Sequence, residues 1–179
     1  MNIKKCNLFK HKLKNYVKKL DNSFSNIIFL CIGTDKIIGD SVGPIVGSKL
    51  KSIENEYIKI YGTVGNNLDF LNTKKVVEEI YAKFENPFII TIDAALSKER
   101  ETGEICISDG YIKVGNALDK SICFYSNINI KCVVGKYYKL DKKMNINTLK
   151  NVNKEEIYNM TEIVSNGIKS ILEKINIYV

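Results

Sequence analysis

The feature that most constrains the fold is a continuous apolar run, Ile27-Ile28-Phe29-Leu30-Cys31-Ile32, which ends at Gly33. A second run of the same kind, Phe88-Ile89-Ile90-Thr91-Ile92, ends at Asp93. Strands that are apolar at almost every position are typical of parallel sheets, because helices cover both of their faces. We therefore expect an α/β fold in which these two runs are central strands.

The segments around these runs predict the rest of the architecture. Asp40-Ser41-Val42-Gly43-Pro44 carries helix-start signals, with proline in the first turn. The further predicted elements are a helix from there to about Ile53, a strand over 57–63, a helix over about 72–84, strands over 104–108 and about 128–135 with a glycine-containing loop at 109–121, and a helix over about 153–175. The order β-α-β-α-β requires parallel pairing and right-handed crossovers. The sequence thus predicts a three-layer α/β/α sandwich with a mixed, mostly parallel sheet.

The N-terminal segment is predicted to be a basic amphipathic helix. Phe9, Leu13 and Val17 follow helical spacing, and lysines occupy the other side. We expect residues 1–24 to dock on a single α/β domain formed by residues 25–179.

The net charge of +7 lies in that same segment. The first 19 residues hold seven lysines and no acidic residue, so the rest of the chain holds 20 basic and 20 acidic groups. A nucleic-acid surface needs clustered lysine or arginine on the folded body. We therefore do not expect the domain to bind nucleic acid, and only the first helix remains a candidate for it.

Composition also limits the chemistry and the location. The single histidine, His11, lies between lysines, so histidine-dependent triads, dyads and zinc sites are not expected. The five cysteines are odd in number and lack CxxC spacing, as in proteins of a reducing compartment. No run approaches the roughly 18 apolar residues of a membrane span, and the lysine-rich N-terminus lacks a signal-peptide core. These features predict a cytoplasmic protein.

Two aspartates follow the predicted central strands. Asp40 is delivered by the loop after the first strand, and Asp93 follows the third. Ligands of open α/β sheets bind at the carboxyl ends of the strands, where strand order reverses. If these strands are neighbours, the two carboxyl groups approach each other, share a proton and act as acid and base. The alternatives are that Asp40 caps a helix and that Asp93 is a solvated residue at a strand end.

Other polar residues near these positions are candidates for hydrogen bonding around the pair. They are Thr34, Asp35, Ser41 and Asn66.

A nucleotide site is not expected at this edge, and a metal site would be a weak one. Gly33 and Gly39 are one residue too far apart for a P-loop, and Asp40 stands at the position of its lysine. We predict no metal and no cofactor, because two carboxylates alone make a weak site. The alternative is a hard cation held by Asp40, Asp93 and backbone carbonyls.

Four motifs together resemble a known family. They are Ile32-Gly33-Thr34-Asp35, Gly39-Asp40-Ser41-Val42-Gly43-Pro44-Ile45-Val46-Gly47, Ile60-Tyr61-Gly62-Thr63 and Ile92-Asp93-Ala94-Ala95-Leu96. Over residues 26–136 the chain resembles the YyaC sporulation proteins, which are similar to the spore germination protease and, more distantly, to the hydrogenase maturation proteases.

The resemblance implies a phosphorylase/hydrolase-like fold and an aspartate-dependent endopeptidase that acts on small acid-soluble spore proteins. The two essential aspartates of the germination protease lie in motifs matching those of Asp40 and Asp93. Nickel recognition in the hydrogenase maturation proteases also uses a histidine, and no corresponding histidine exists here.

We therefore expect a sporulation-associated peptidase in which Asp40 and Asp93 activate water, with a protein or peptide as substrate. The alternative is a binding or regulatory protein that retains the fold without catalysis. Self-association is compatible with either.

Overall fold

A computed structural model describes residues 3–18, 24–114 and 122–175. The strands are β1 (Ile27–Cys31), β2 (Ile58–Tyr61), β3 (Phe88–Ser97), β4 (Ile105–Val114) and β5 (Ile122–Lys136). The helices are α1 (Ile3–Val17), α2 (Val42–Leu50), α3 (Phe70–Lys83), α4 (Lys142–Lys150) and α5 (Lys154–Ile175). Short 3-10 turns at Ile38–Asp40 and Lys51–Ile53 flank α2.

The five strands form one sheet in the order β2-β1-β3-β5-β4. β2, β1, β3 and β5 are parallel, and β4 pairs antiparallel with β5 at the edge. Helices flank both faces, so the predicted α/β/α sandwich with a mixed, mostly parallel sheet is confirmed. The expected adjacency of the first and third strands is also confirmed, since Ile27–Cys31 pairs with Phe88–Ile92.

Alternate residues of β1 enter two separate cores. Phe29 belongs to the larger core, which α1, α2 and α5 cover, whereas Leu30 belongs to a smaller core on the other face, which α3 covers. All five residues of β1 are buried. Double coverage explains why this strand is apolar throughout.

α1 contributes to the larger core. Phe9, Leu13 and Val17 are buried, and the Phe9 ring lies against α5 where Gly167 leaves room for it. A Cβ atom at Gly167 would stand 2.5 Å from Phe9 Cε1, so the absence of a side chain there permits close helix packing.

The structure corrects the predicted segment 109–121. β4 continues through Gly110 to Val114, because a bulge between Ser108 and Gly110 bends the strand without ending it. Residues 115–121 lie outside the described residues. β5 also begins earlier than predicted, at Ile122.

α4 was not predicted. Its sequence, KKMNINTLK, has too few apolar residues for a clear helical period. The Asp141 carboxylate accepts the Met144 N–H at its start, and Ile146 and Leu149 face a cavity. Capping and tertiary contact therefore stabilise a helix whose pattern does not indicate one.

Candidate active site

Asp93 lies where the sheet loses one of its strands. Cys31, the last residue of β1, pairs with Ile92, and from Asp93 onward β3 pairs only with β5. The predicted strand ends at Asp93, whereas β3 continues to Ser97. β2 and β3 flank β1, so strand order reverses here and a crevice opens beside Asp93.

Asp40 reaches the same crevice through a tight loop after β1. Gly33 has a φ of +132°, and a Cβ atom there would overlap the Asp40 carbonyl oxygen. A Cβ atom at Gly43 would likewise overlap the Ile32 backbone. These two glycines allow the segment from Asp40 into α2 to lie directly against the end of β1.

The Asp40 carboxylate is held by the loop rather than by α2. The Thr34 N–H donates to Asp40 Oδ2 at 3.1 Å and also to the Asp40 carbonyl oxygen. The N-cap of α2 is Ser41, which is buried and whose hydroxyl donates to the Ile38 carbonyl at 2.7 Å. Among the described residues no side chain accepts a capping hydrogen bond from α2. Capping is therefore not what fixes Asp40.

Asp40 and Asp93 line one cavity of about 220 Å³. The polar residues that share its lining are Lys113, Lys131 and Tyr137. The apolar lining residues include Ile37 from the first loop, Phe70 from α3 and Ile146 and Leu149 from α4. The two aspartates thus meet in a confined space with a largely apolar wall.

Burial raises the pKa of both carboxyl groups. The pKa of Asp40 is raised to about 7, mainly by burial. The Thr34 N–H lowers this pKa, and the Asp69 charge raises it by a smaller amount. The pKa of Asp93 is raised to about 8, mainly by burial and next by the nearby Asp40 charge, while Lys131 and the Ala94 N–H lower it. Because two carboxylates close together do not both ionise easily, the pair retains a proton near neutral pH.

The remaining predicted residues stabilise the loops. Asp35 is exposed and accepts the Gly65 N–H at 2.7 Å and the Asn67 amide at 2.9 Å, which lowers its pKa. Thr34 Oγ1 accepts the Asn67 amide at 3.4 Å. These bonds connect the loop after β1 to the turn after β2.

Asn66 is exposed in that turn, where its backbone pairs with Thr63, and it does not line the cavity. The neighbouring Asn67 makes the contacts to the first loop. Nothing in the sequence distinguishes these adjacent asparagines, since only the turn geometry decides which one faces inward.

Sequence reasoning also missed Lys131, which pairs in register with Asp93 across β5 and β3. A signal was present: Lys131 interrupts the apolar run Ile130 to Val134 of a doubly covered strand. Charged residues in such strands rarely occur without a partner.

The donor set near the pair does not suit a metal ion. In residues 3–18, 24–114 and 122–175 no group of three or more histidine, cysteine or acidic residues is placed to hold one. The Lys131 ammonium group beside Asp93 would also repel a cation. The aspartate pair can instead polarise water and donate a proton without a metal.

None of the helices described combines the length and apolar character needed to cross a bilayer.

The chain is similar in sequence to a known family and to a Bacillus protein. The family model described as "Protein of unknown function (DUF1256)" matches residues 2–167. The uncharacterized protein YyaC of Bacillus subtilis (strain 168) is 31% identical over 142 residues, which are 79% of this chain and 67% of YyaC.

Two solved structures are similar to the chain. The crystal structure of the NiFe hydrogenase maturation protease HycI from Thermococcus kodakarensis KOD1 matches with a TM-score of 0.60 and 19% identity, over 90% of this chain and 99% of HycI. The hydrogenase maturating endopeptidase HybD from E. coli matches with a TM-score of 0.48 and 13% identity, over 84% of this chain and 94% of HybD. The likeness to HycI shows that the chain has a peptidase-like α/β fold.

Proposed function

The chain belongs to the family described as a protein of unknown function (DUF1256), and from its paired aspartates we propose that it is an aspartate-dependent endopeptidase. The observation that carries this proposal is that Asp40 and Asp93 share one cavity in which burial raises both of their pKa values. A pair that holds one proton supplies a base and an acid in the same site. The fold shared with HycI supports the same reaction class.

The proposed reaction uses the two protonation states of the pair. The ionised carboxylate accepts a proton from a water molecule, whose oxygen attacks the peptide carbonyl carbon. The protonated carboxyl group donates its proton to the amide nitrogen as the carbon–nitrogen bond breaks. Apolar residues such as Phe70 and Leu149 limit the access of other water to the cavity.

The proposed substrates are small acid-soluble spore proteins, cleaved in the cytoplasm of a sporulating cell or in the spore core. The motif resemblance to the germination protease supports this choice. The similarity to a Bacillus protein is consistent with it.

The test is incubation of the purified protein with extracted spore proteins and mapping of the fragments. We expect Asp40→Asn and Asp93→Asn each to lower the cleavage rate by about 100-fold or more, the range for loss of a general acid or base. Asparagine resembles protonated aspartate in shape, so at pH 4, below the folded pKa values of both carboxyl groups, the free energy of unfolding should change by about 1 kcal/mol or less.

Glu85→Gln is the matched control. Glu85 is exposed and precedes β3, at the opposite end of that strand from the cavity, so this variant should cleave at the wild-type rate. Cleavage by either aspartate variant at that rate would refute the mechanism. A wild-type protein that binds spore proteins but leaves them intact would instead identify a non-catalytic binding or regulatory protein.

A further inference from the structure

Lys131 is the charged residue that the sheet places directly beside Asp93. The two residues are partners in the parallel register of β5 and β3. Register partners on neighbouring strands project to the same face, so Lys131 and Asp93 share the wall of the cavity. Lys131 is itself partly buried, which limits the screening of its charge by water.

The other titratable and charged groups near Asp93 come from several neighbouring elements. They are Asp40 before α2, Lys113 on β4, Cys132 on β5 and Tyr137 after β5. Asp69 at the start of α3 acts on Asp40, and Cys106 on β4 is the register partner of Lys131. α4 contributes only apolar residues to the cavity wall, Ile146 and Leu149.

These neighbours act on Asp93 in opposite directions. Asp40 is the acidic group that opposes ionisation of Asp93, and Lys131 is the cation that favours it. Lys113 also lines the cavity, but it lies on β4, one strand further from Asp93, and is exposed to water. Lys131 is therefore the cation best placed to offset the charge of the pair.

We propose that Lys131 is a positioning residue whose ammonium group keeps the aspartate pair singly protonated, rather than doubly protonated, near neutral pH. The role of Lys131 in catalysis rests on the proposed peptidase function, but its effect on the protonation of the aspartate pair does not. Without this cation the pair would hold both protons at neutral pH, and no carboxylate would remain to activate water. In other hydrolases a metal ion supplies positive charge at the site, whereas here the Lys131 ammonium group supplies it.

The first test needs no substrate. The aspartate ¹³Cγ resonances of wild type, Lys131→Met and Lys131→Arg are titrated by NMR between pH 4 and pH 10. We expect Lys131→Met to raise the Asp93 midpoint by about one pH unit or more, the usual effect of removing a close opposite charge. Lys131→Arg keeps the charge and should titrate like wild type. Lys74→Met, on the exposed side of α3, is the control for loss of a distant lysine.

The Asp40→Asn variant separates the two neighbours of Asp93. It removes the opposing charge, so the Asp93 midpoint should fall, and adding Lys131→Met should raise it again. An Asp93 midpoint that Lys131→Met leaves at its wild-type value would overturn the proposal, whether or not the protein is a peptidase.

The second test uses peptide cleavage. In Lys131→Met the rising limb of the pH profile of kcat should move to higher pH. At pH values below that limb, kcat should fall by about tenfold for each pH unit of the shift, and KM should stay unchanged. A raised KM with an unmoved profile would make Lys131 a substrate-binding residue and would also overturn the proposal. If no variant cleaves any peptide while the NMR midpoints move as expected, only the peptidase function fails.

Discussion

At the scale of single residues, the partly buried Asp40 and Asp93 link the stability of the protein to pH. The pKa values of Asp40 and Asp93 rise on folding, to about 7 and about 8, so the native state holds protons that the unfolded chain has released. Their contribution to stability is complete below the unfolded pKa of about 4 and is lost as the pH rises through the folded values.

We therefore predict that the melting temperature falls between pH 5 and pH 9. The measurement is calorimetry or circular dichroism at fixed ionic strength. Asp93→Asn stays neutral at every pH, so it should flatten this dependence and melt several degrees above wild type at pH 9. A wild-type melting temperature that does not change across this range would contradict the assigned burial of the pair.

Other carboxylates act in the opposite direction. Hydrogen bonds from Asn67 and Gly65 lower the pKa of Asp35, and Lys49 lowers that of Glu162. These groups stabilise the native state above their unfolded pKa, and their contribution is lost in acid. Because they titrate below pH 5, they do not affect the range in which the aspartate pair titrates.

At the scale of elements, α3 connects helix capping to the site. Its N-cap is Asp69, whose carboxylate accepts the Leu71 N–H at 2.8 Å and the Asn72 N–H at 3.3 Å. The same charge raises the pKa of Asp40. The start of α3 thus has a structural and an electrostatic role.

Two substitutions of Asp69 should separate these roles. Asp69→Asn keeps a capping oxygen and should lower the Asp40 midpoint in an NMR titration with little loss of stability. Asp69→Ala should lower that midpoint too and also cost about 0.5–2 kcal/mol in urea unfolding, the usual loss for a cap. Equal stability of the Asn and Ala variants would show that the cap contributes nothing.

Prediction from sequence succeeded for some elements and failed for others, for physical reasons. β1 is buried on both faces and α5 has a regular apolar stripe, so local pattern and tertiary role agree. α4 lacks such a stripe and depends on the Asp141 cap and on Asn145. The Asn145 side chain accepts a hydrogen bond from the Tyr138 N–H and donates one to the Tyr138 carbonyl. The part played by these contacts cannot be read from the pattern of α4 itself.

At the scale of the whole molecule, α1 belongs to the main core. Leu13 is 2% exposed among residues of that core, whereas Lys12 on the same helix is exposed. The basic charge of the N-terminal segment therefore coexists with a buried apolar side. The proposed division into residues 1–24 and 25–179 remains a prediction.

Substitution of these neighbours tests how far α1 stabilises the fold. Leu13→Ala should reduce the free energy of unfolding by about 2–5 kcal/mol, as for other fully buried leucines. Lys12→Ala should change it by about 0.5 kcal/mol or less. Denaturant unfolding measures both. Equal stability of the leucine and lysine variants would show that α1 does not stabilise the fold. The lysines of α1 would then be the residues to test for salt-dependent nucleic-acid binding.

The sequence by itself determined the fold class and the two candidate aspartates. Both follow from local rules, since doubly covered strands must be apolar and polar residues after them lie at one edge of the sheet. Tertiary structure alone decided that Asn67 rather than Asn66 contacts the first loop, that α4 covers the cavity and that Lys131 stands beside Asp93. Burial and charge proximity depend on segments distant in sequence, and these set the protonation of the pair.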